Sequence, residues 1–343
     1  MLRKTIRLHM NESPHPPPQN VIEAAREGLS TLNRYADPED LERLRGFLAD
    51  YSGVSKHHVI LSPGSDLLLR EMIHVFSKGR KIVMVSPSFF PTVRAAKQFA
   101  TRRLSIRLSP PTFDLGLAPL IDELGEPSLV IIDNPNNPTG RMLLDRQAVE
   151  EIVRIANIRE HSETLLVIDE AYYEFSGVTF ADMVEYHPNL AIVRTMDKAF
   201  SLAGARVGYG IAGEAFLDTL SSFYAFLPRP SLYAAIEALQ DLDYMRNNVR
   251  RIIEEREWLR QALDDADKRH PLEARVYPSS TNFLLVRTRF PDVARRFREV
   301  GVFVSDVSDQ LPPGFIRVSV GAREENDAFI ARYAKIHQRR LNI

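Results

Sequence analysis

Between residues 59 and 195 the chain repeats one kind of unit. A short apolar run ends in a polar turn, and a stretch with helical spacing follows in most repeats. The runs are Val59–Ser62, Lys81–Val85, Leu129–Asp133, Leu165–Asp169 and Leu190–Thr195. Helical stretches run to about Ser77, to about Ala100, and from about Asp145 to Arg159. Short buried strands alternating with helices imply βαβ units and a mostly parallel sheet. The fold class is therefore α/β. On such sheets ligands bind beyond the carboxyl ends of the strands. The polar oddities of this sequence cluster at those ends.

The flanks read differently. Residues 10–20 are rich in proline and asparagine and predict an extended arm with little structure of its own. Helical spacing follows from Val21 to about Leu32, and again over 38–51 with Pro38 near the first position. After about Leu239 the pattern changes. Residues 241–266 read as one long amphipathic helix with dense charge pairs. Beyond it, Asn282–Arg287 and Phe315–Val320 look like strands, and 290–299 and 324–339 like helices. The expected division is an N-terminal arm and helix (1–32), a large domain (33–240) and a small C-terminal α+β domain (241–343). A chain of 343 residues is long enough for more than one core.

Composition excludes several classes. A net charge of −1 advertises no basic field for nucleic acid or an anionic membrane. The absence of cysteine removes disulfides, thiolate nucleophiles and Cys-ligated metal, and no metal site is expected. The N-terminus lacks the apolar core of a signal peptide, and no apolar run approaches the ~20 residues of a membrane span. A cytoplasmic protein is expected.

Four polar clusters follow predicted strands. Gly64-Ser65-Asp66 opens a helix, whose free N–H groups suit an anion; alone it reads as an ordinary glycine turn. Asn134-Pro135-Asn136-Asn137-Pro138-Thr139-Gly140 is a rigid loop that can hold amide donors against a ligand. Asp169-Glu170-Ala171-Tyr172 puts an acid at a strand end, where a helix cap is the commoner use, with a tyrosine three residues on. The fourth cluster sets Lys198 among small and apolar residues after Thr195, with Arg206 eight residues further. A desolvated lysine has a lowered pKa and becomes a nucleophile, whereas a single lysine is usually a solvated surface residue.

In this order and spacing, the clusters resemble those of fold-type I aminotransferases of the class I/II family, and within them the histidinol-phosphate aminotransferase family. The resemblance spans nearly the whole chain, from Asn11-Glu12-Ser13-Pro14 through Arg34-Tyr35 to Phe315-Ile316-Arg317-Val318-Ser319-Val320-Gly321. It implies a pyridoxal 5′-phosphate (PLP) enzyme in which Lys198 carries the cofactor as a Schiff base and then shuttles a proton. Asp169 would pair with the pyridine nitrogen, while Tyr172 and Asn137 would bond the phenolic oxygen. Phe89 would offer its π-face to the ring. Ser65, Asp66, Thr195 and Arg206 would surround the phosphate, and Tyr35 would reach the phosphate of a neighbouring subunit. A homodimer with shared sites follows. Arg317, with Asn137 and His15 nearby, would receive the substrate, an L-amino acid or histidinol phosphate reacting with a 2-oxo acid such as 2-oxoglutarate.

Three positions depart from the family pattern. Asp197 stands where a serine usually precedes the lysine, and it is expected to turn aside and pair with a nearby arginine or to weaken cofactor binding. Ser305 stands where an arginine holds substrate phosphate, and His15 where tyrosine is common. These bear on the substrate more than on the cofactor. Arg229, between two prolines, is an alternative anchor for an anionic side chain. Two other readings remain open: a decarboxylase related to the threonine-phosphate decarboxylases, and a non-catalytic relative of the same fold. A DNA-binding regulator is disfavoured by the charge balance and by the short stretch before Asn11.

Overall fold

The computed structural model describes residues 5–158, 163–220 and 226–338. Among them the strands are β1 (Ile6–Leu8), β2 (Val59–Ser62), β3 (Lys81–Ser86), β4 (Arg103–Arg107), β5 (Ser128–Asp133), β6 (Leu165–Asp169), β7 (Leu190–Thr195), β8 (Gly208–Ala212), β9 (Arg275–Val276), β10 (Phe283–Arg287), β11 (Val302–Asp306) and β12 (Phe315–Ser319). They form two sheets. The larger is ordered β2-β8-β7-β6-β5-β3-β4, and the smaller β1-β11-β12-β10-β9.

In the larger sheet β4, β3, β5, β6 and β7 are parallel, while β8 runs antiparallel between β7 and β2. Strands β5, β6 and β7 are buried at every position, which is why they read as continuous apolar runs. The period of two then sends alternate residues to two different cores. Val83, Val130, Ile132, Leu166 and Ile168 face one; Ile82, Met84, Leu129, Ile131 and Val167 face the other.

The long helix covers Leu242–Arg269. Its first half (Met245, Val249, Ile252) belongs to the larger core and its second half (Leu259, Leu263, Ala266) to the core of the smaller sheet. One continuous helix thus ties the two sheets together. The boundaries proposed at residues 32 and 240 remain a proposal, but the structure adds a feature they do not anticipate. Strand β1 lies parallel to β11, with Ile6 opposite Val302 and Leu8 opposite Val304. The beginning of the described chain is therefore a strand of the C-terminal sheet. Three residues carry too little pattern to reveal this in sequence.

Other differences have local causes. The helix expected over Val21–Leu32 spans Gln19–Leu29, because the hydroxyls of Ser30 and Thr31 donate to the carbonyls of Glu27 and Gly28 and close its end. Strand β8 escaped notice because it is rich in glycine. A Cβ on Gly208 would stand 2.2 Å from the Ser65 nitrogen, so only glycine lets β8 pass this helix start. The helix after Asp145 covers Arg146–Ile158; Arg159 lies outside the described residues, as does Arg339 beyond the last helix, Arg323–Gln338. No described helix is long and apolar enough to cross a membrane.

Candidate active site

At the carboxyl ends of β5, β6 and β7 lies a crevice of about 510 Å³. Its lining includes Ser65, Asp66, Phe89, Asn137, Asp169, Tyr172, Thr195, Lys198, Arg206 and Arg317. Residues drawn from three sequence-distant strand ends, a helix start and the C-terminal sheet are thus brought to one cavity. This volume suits a ligand of cofactor size.

Lys198 follows β7 and donates from Nζ to the carbonyl of Met10 at 3.4 Å. Burial, more than any neighbouring charge, holds its pKa below the ordinary lysine value. An amine in that state spends more time neutral and is the better nucleophile.

Asp169 ends β6 and is 5% exposed. Burial first, then the nearby Asp133 carboxylate, pushes its pKa up to about 7. The next residue points to the opposite face. Glu170 makes a fully buried ion pair of 2.9 Å with Arg194, whose guanidinium lies 3.8 Å from the centre of the Tyr173 ring. This pair locks the ends of β6 and β7 beneath the crevice, so Asp169 and Thr195 are held by rigid neighbours.

Tyr172 receives two hydrogen bonds at its hydroxyl, from Asn11 Nδ2 (3.0 Å) and Asn137 Nδ2 (3.4 Å). A phenol that accepts twice keeps its own proton free to donate to a third partner. Asn137 is held in turn. Its main-chain N–H donates to Asp133 Oδ2 at 2.8 Å, and its side-chain oxygen accepts from Arg317 Nη1 at 2.6 Å. Arg317, on β12, also donates from Nη2 to the His9 carbonyl at 2.7 Å, while its Nε is buried without a hydrogen-bond partner. Ser305 on β11 lies directly opposite it.

Around Ser65 the site has the character of an anion cradle. The helix Ser65–Phe76 has no side-chain cap, and Gly64 before it has a φ of 96°. A Cβ there would collide with Arg206 and Asp66. Arg206, itself at a φ of 57°, pairs with both Asp66 and Asp197. Asp197 has therefore found an arginine, as expected. Thr195 accepts from the Asp197 N–H at 3.1 Å and donates to the Val207 carbonyl at 3.4 Å.

Tyr35, expected at a neighbouring subunit's site, His15 and the alternative anchor Arg229 do not line this crevice. Tyr35 is 75% exposed and packs on Phe226, with ring centres 4.7 Å apart, outside the crevice. His15 lines an adjoining cavity with Ser201, Ala203, Gly204 and Glu325. Arg229 is no free anchor: it begins the helix Arg229–Gln240, is buried, and pairs with Asp37. Conversely, Met10 and Asp133 belong to the site or its frame and were not singled out, and Asn11, which opens the family-like Asn11-Glu12-Ser13-Pro14 motif, was given no role in the site. Asn11 is 1% exposed, at a φ of 52°, and its N–H donates to Ser319 Oγ at 2.8 Å. A conformation that asparagine tolerates better than most residues, inside a proline-rich arm, was the available signal.

A desolvated lysine, a buried acid at the neighbouring strand end and an uncapped helix start, on a sheet of this order, define the fold-type I class. The chain belongs to the aminotransferase class I and II family, whose model matches residues 3–332. It is an aminotransferase, and that family depends on PLP. It is 36% identical to a histidinol-phosphate aminotransferase of Sulfurisphaera tokodaii, over 96% of this chain and 90% of that one. Among solved structures it is similar to the histidinol-phosphate aminotransferase of Clostridium acetobutylicum (TM-score 0.86, 22% identity, 97% and 99% of the two chains). It is also similar to that of Sinorhizobium meliloti in complex with pyridoxal-5′-phosphate (TM-score 0.82, 26% identity, 97% and 91%).

Proposed function

We propose that the crevice binds PLP through Lys198 and transfers an amino group between an L-amino acid, or histidinol phosphate, and a 2-oxo acid such as 2-oxoglutarate. The observation that carries this is the desolvated Lys198 amine in one cavity with Asp169, Tyr172 and the uncapped start of the helix at Ser65. The residues fit the group chemically. The free N–H groups at Ser65 and Asp66, with Arg206 and Thr195, would hold its phosphate. Asp169 would hold a proton at the ring nitrogen, Tyr172 and Asn137 would donate to the ring oxygen, and Phe89 would cover the ring. When bound, the cofactor supplies a sink for the electrons of a bond broken at the substrate Cα.

The chain's own residues do the rest. Lys198 Nζ would anchor the cofactor, and the same amine would hold and move the proton at the substrate Cα. Arg317 grips the acidic group of the substrate. His15, one cavity away, would face only a substrate long enough to reach it. The exposed Tyr35, with Leu29, Leu32 and Phe226, forms an apolar surface that supports a homodimer in which Tyr35 reaches the partner's site. No described helix contradicts a cytoplasmic location.

The test is spectroscopic. Purified protein is expected to absorb near about 410–430 nm, as PLP bound to lysine does by its own electronics. Glutamate should bleach that band and release 2-oxoglutarate. Absence of the band removes the cofactor reading. Carbon dioxide without a 2-oxo acid would replace transfer by decarboxylation.

A further inference from the structure

The cradle around Arg206 is short of positive charge. Asp66 and Asp197 already occupy both terminal nitrogens of the guanidinium. A phosphate dianion entering there would add two negative charges to two carboxylates facing one guanidinium. The helix start contributes only about half a unit of positive charge. Lys198 is the other cation facing Asp197, and its amine is the one the cofactor consumes.

We propose that Asp197 binds the cofactor phosphate as a neutral carboxylic acid, so that cofactor binding takes up one proton. This rests on the PLP reading above. The two candidate acids differ in surroundings. The Asp66 side chain is 46% exposed and can keep its charge in water, whereas that of Asp197 is 11% exposed. Asp197 Oδ2 is held by Arg206, but its Oδ1 is buried with no hydrogen-bond partner. A buried carboxylate oxygen without a donor is the least costly place to put a proton. Burial already raises the pKa of this carboxyl against the opposing pull of Arg206 and Lys198. A dianion brought alongside raises it further.

The sign follows. Above the pKa of Asp197 in the free protein and below its pKa in the complex, binding must take a proton from solvent, so affinity falls as pH rises. The limit is about tenfold per pH unit for one proton. The test uses the full chain freed of cofactor and pyridoxine 5′-phosphate as probe, which has no aldehyde to react with Lys198. Between pH 7.5 and 8.5 the free probe is already a dianion. Calorimetry in buffers of different ionisation enthalpy should count about one proton more for the wild type than for Asp197→Ser or Asp197→Asn, the contribution of Asp169 and the ring nitrogen being common to all three. At pH 8.5 both variants should bind about tenfold more tightly than the wild type. The phosphorus resonance of the bound probe should keep its dianion position. Equal proton uptake in the wild type and both variants overturns the inference, as does a bound phosphate that reads as a monoanion. If the probe and PLP itself both fail to bind at any pH, the PLP reading fails first and this inference with it.

Discussion

Asp133 and Asp169 stand in register at the carboxyl ends of adjacent parallel strands, β5 and β6, both at least 95% buried. They are not equivalent. Asp133 accepts from the Ser88 hydroxyl (2.9 Å), Asn136 Nδ2 (3.0 Å) and the Asn137 N–H (2.8 Å). Asp169 accepts from the Ala171 N–H at 3.0 Å. Burial raises both carboxyls, Asp133 to about 6 and Asp169 to about 7, and the three donors keep Asp133 the lower of the two, so it is the first of the pair to ionise. Asp133 then fixes the loop that carries Asn137, and its charge makes Asp169 a proton holder.

That division predicts a stability profile. The pKa of Asp169 in the fold, about 7, lies above its unfolded value of about 3.8. Its contribution is therefore fully present below the unfolded value and is lost as pH rises through the folded one. Asp169→Asn removes that loss. In cofactor-free protein the variant should gain on the wild type by on the order of 2–3 kcal/mol between pH 5 and pH 8, read from denaturant unfolding. An unchanged difference across that range would contradict the assignment. The same variant should lose roughly 10²–10⁴-fold in turnover, because amide cannot hold a proton at the ring nitrogen. Stability gained at the expense of activity is the mark of a functional carboxyl.

Arg317 makes a second prediction. Its two terminal nitrogens are oriented by Asn137 and the His9 carbonyl, while its Nε has no partner. Lysine keeps the charge and loses the planar fork. Arg317→Lys should raise KM for amino acids by roughly 10–100-fold with a smaller effect on kcat, since the group binds the substrate and does not move its proton. Steady-state kinetics with glutamate decides it; an equal fall in kcat with unchanged KM would place Arg317 at the chemical step instead.

What the sequence made legible, and what it did not, has a physical pattern. The runs that became β5, β6 and β7 were readable because both faces are buried, and the clusters after them were readable because the sheet has its ligand end there. Asp133 was hidden by position: it closes an apolar run and precedes a conspicuous loop, so it reads as a boundary residue. Asn11 acts through contacts with Tyr172 and Ser319, 161 and 308 residues away in sequence, which no local pattern encodes. Arg229 was misread because a lone arginine between prolines shows nothing of Asp37, the partner that occupies it.

Tyr35 predicts a test of the shared site. Lys198→Ala and Tyr35→Ala chains should each be impaired alone. Mixed and reassembled, half the dimers are hybrids, and each hybrid carries one site with both residues intact. About a quarter of wild-type activity should return, as two-fold symmetry requires. No recovery, with hybrid dimers demonstrated by mass, would confine Tyr35 to its own chain.

Ser305 is expected to set the size of the acidic group that the site accepts. It lies directly across the β11–β12 ladder from Arg317, on the same face, and directly opposed side chains of neighbouring strands stand about 5 Å apart at Cβ. A carboxylate carries one charge and is matched by a single guanidinium. A phosphate monoester carries close to two at neutral pH and has an oxygen more to satisfy. Glu12, which also lines the crevice, adds negative charge to that end. Ser305→Arg would put a second guanidinium beside the first. The expected outcome is a KM for histidinol phosphate lowered by roughly 10–100-fold, with KM for glutamate changed far less, because the added cation has no further carboxylate oxygen to meet. The half-reaction followed at the cofactor band separates the two substrates directly. If histidinol phosphate already outcompetes every amino acid in the wild type, and the added arginine changes nothing, then the phosphate is held elsewhere and Ser305 does not set the choice.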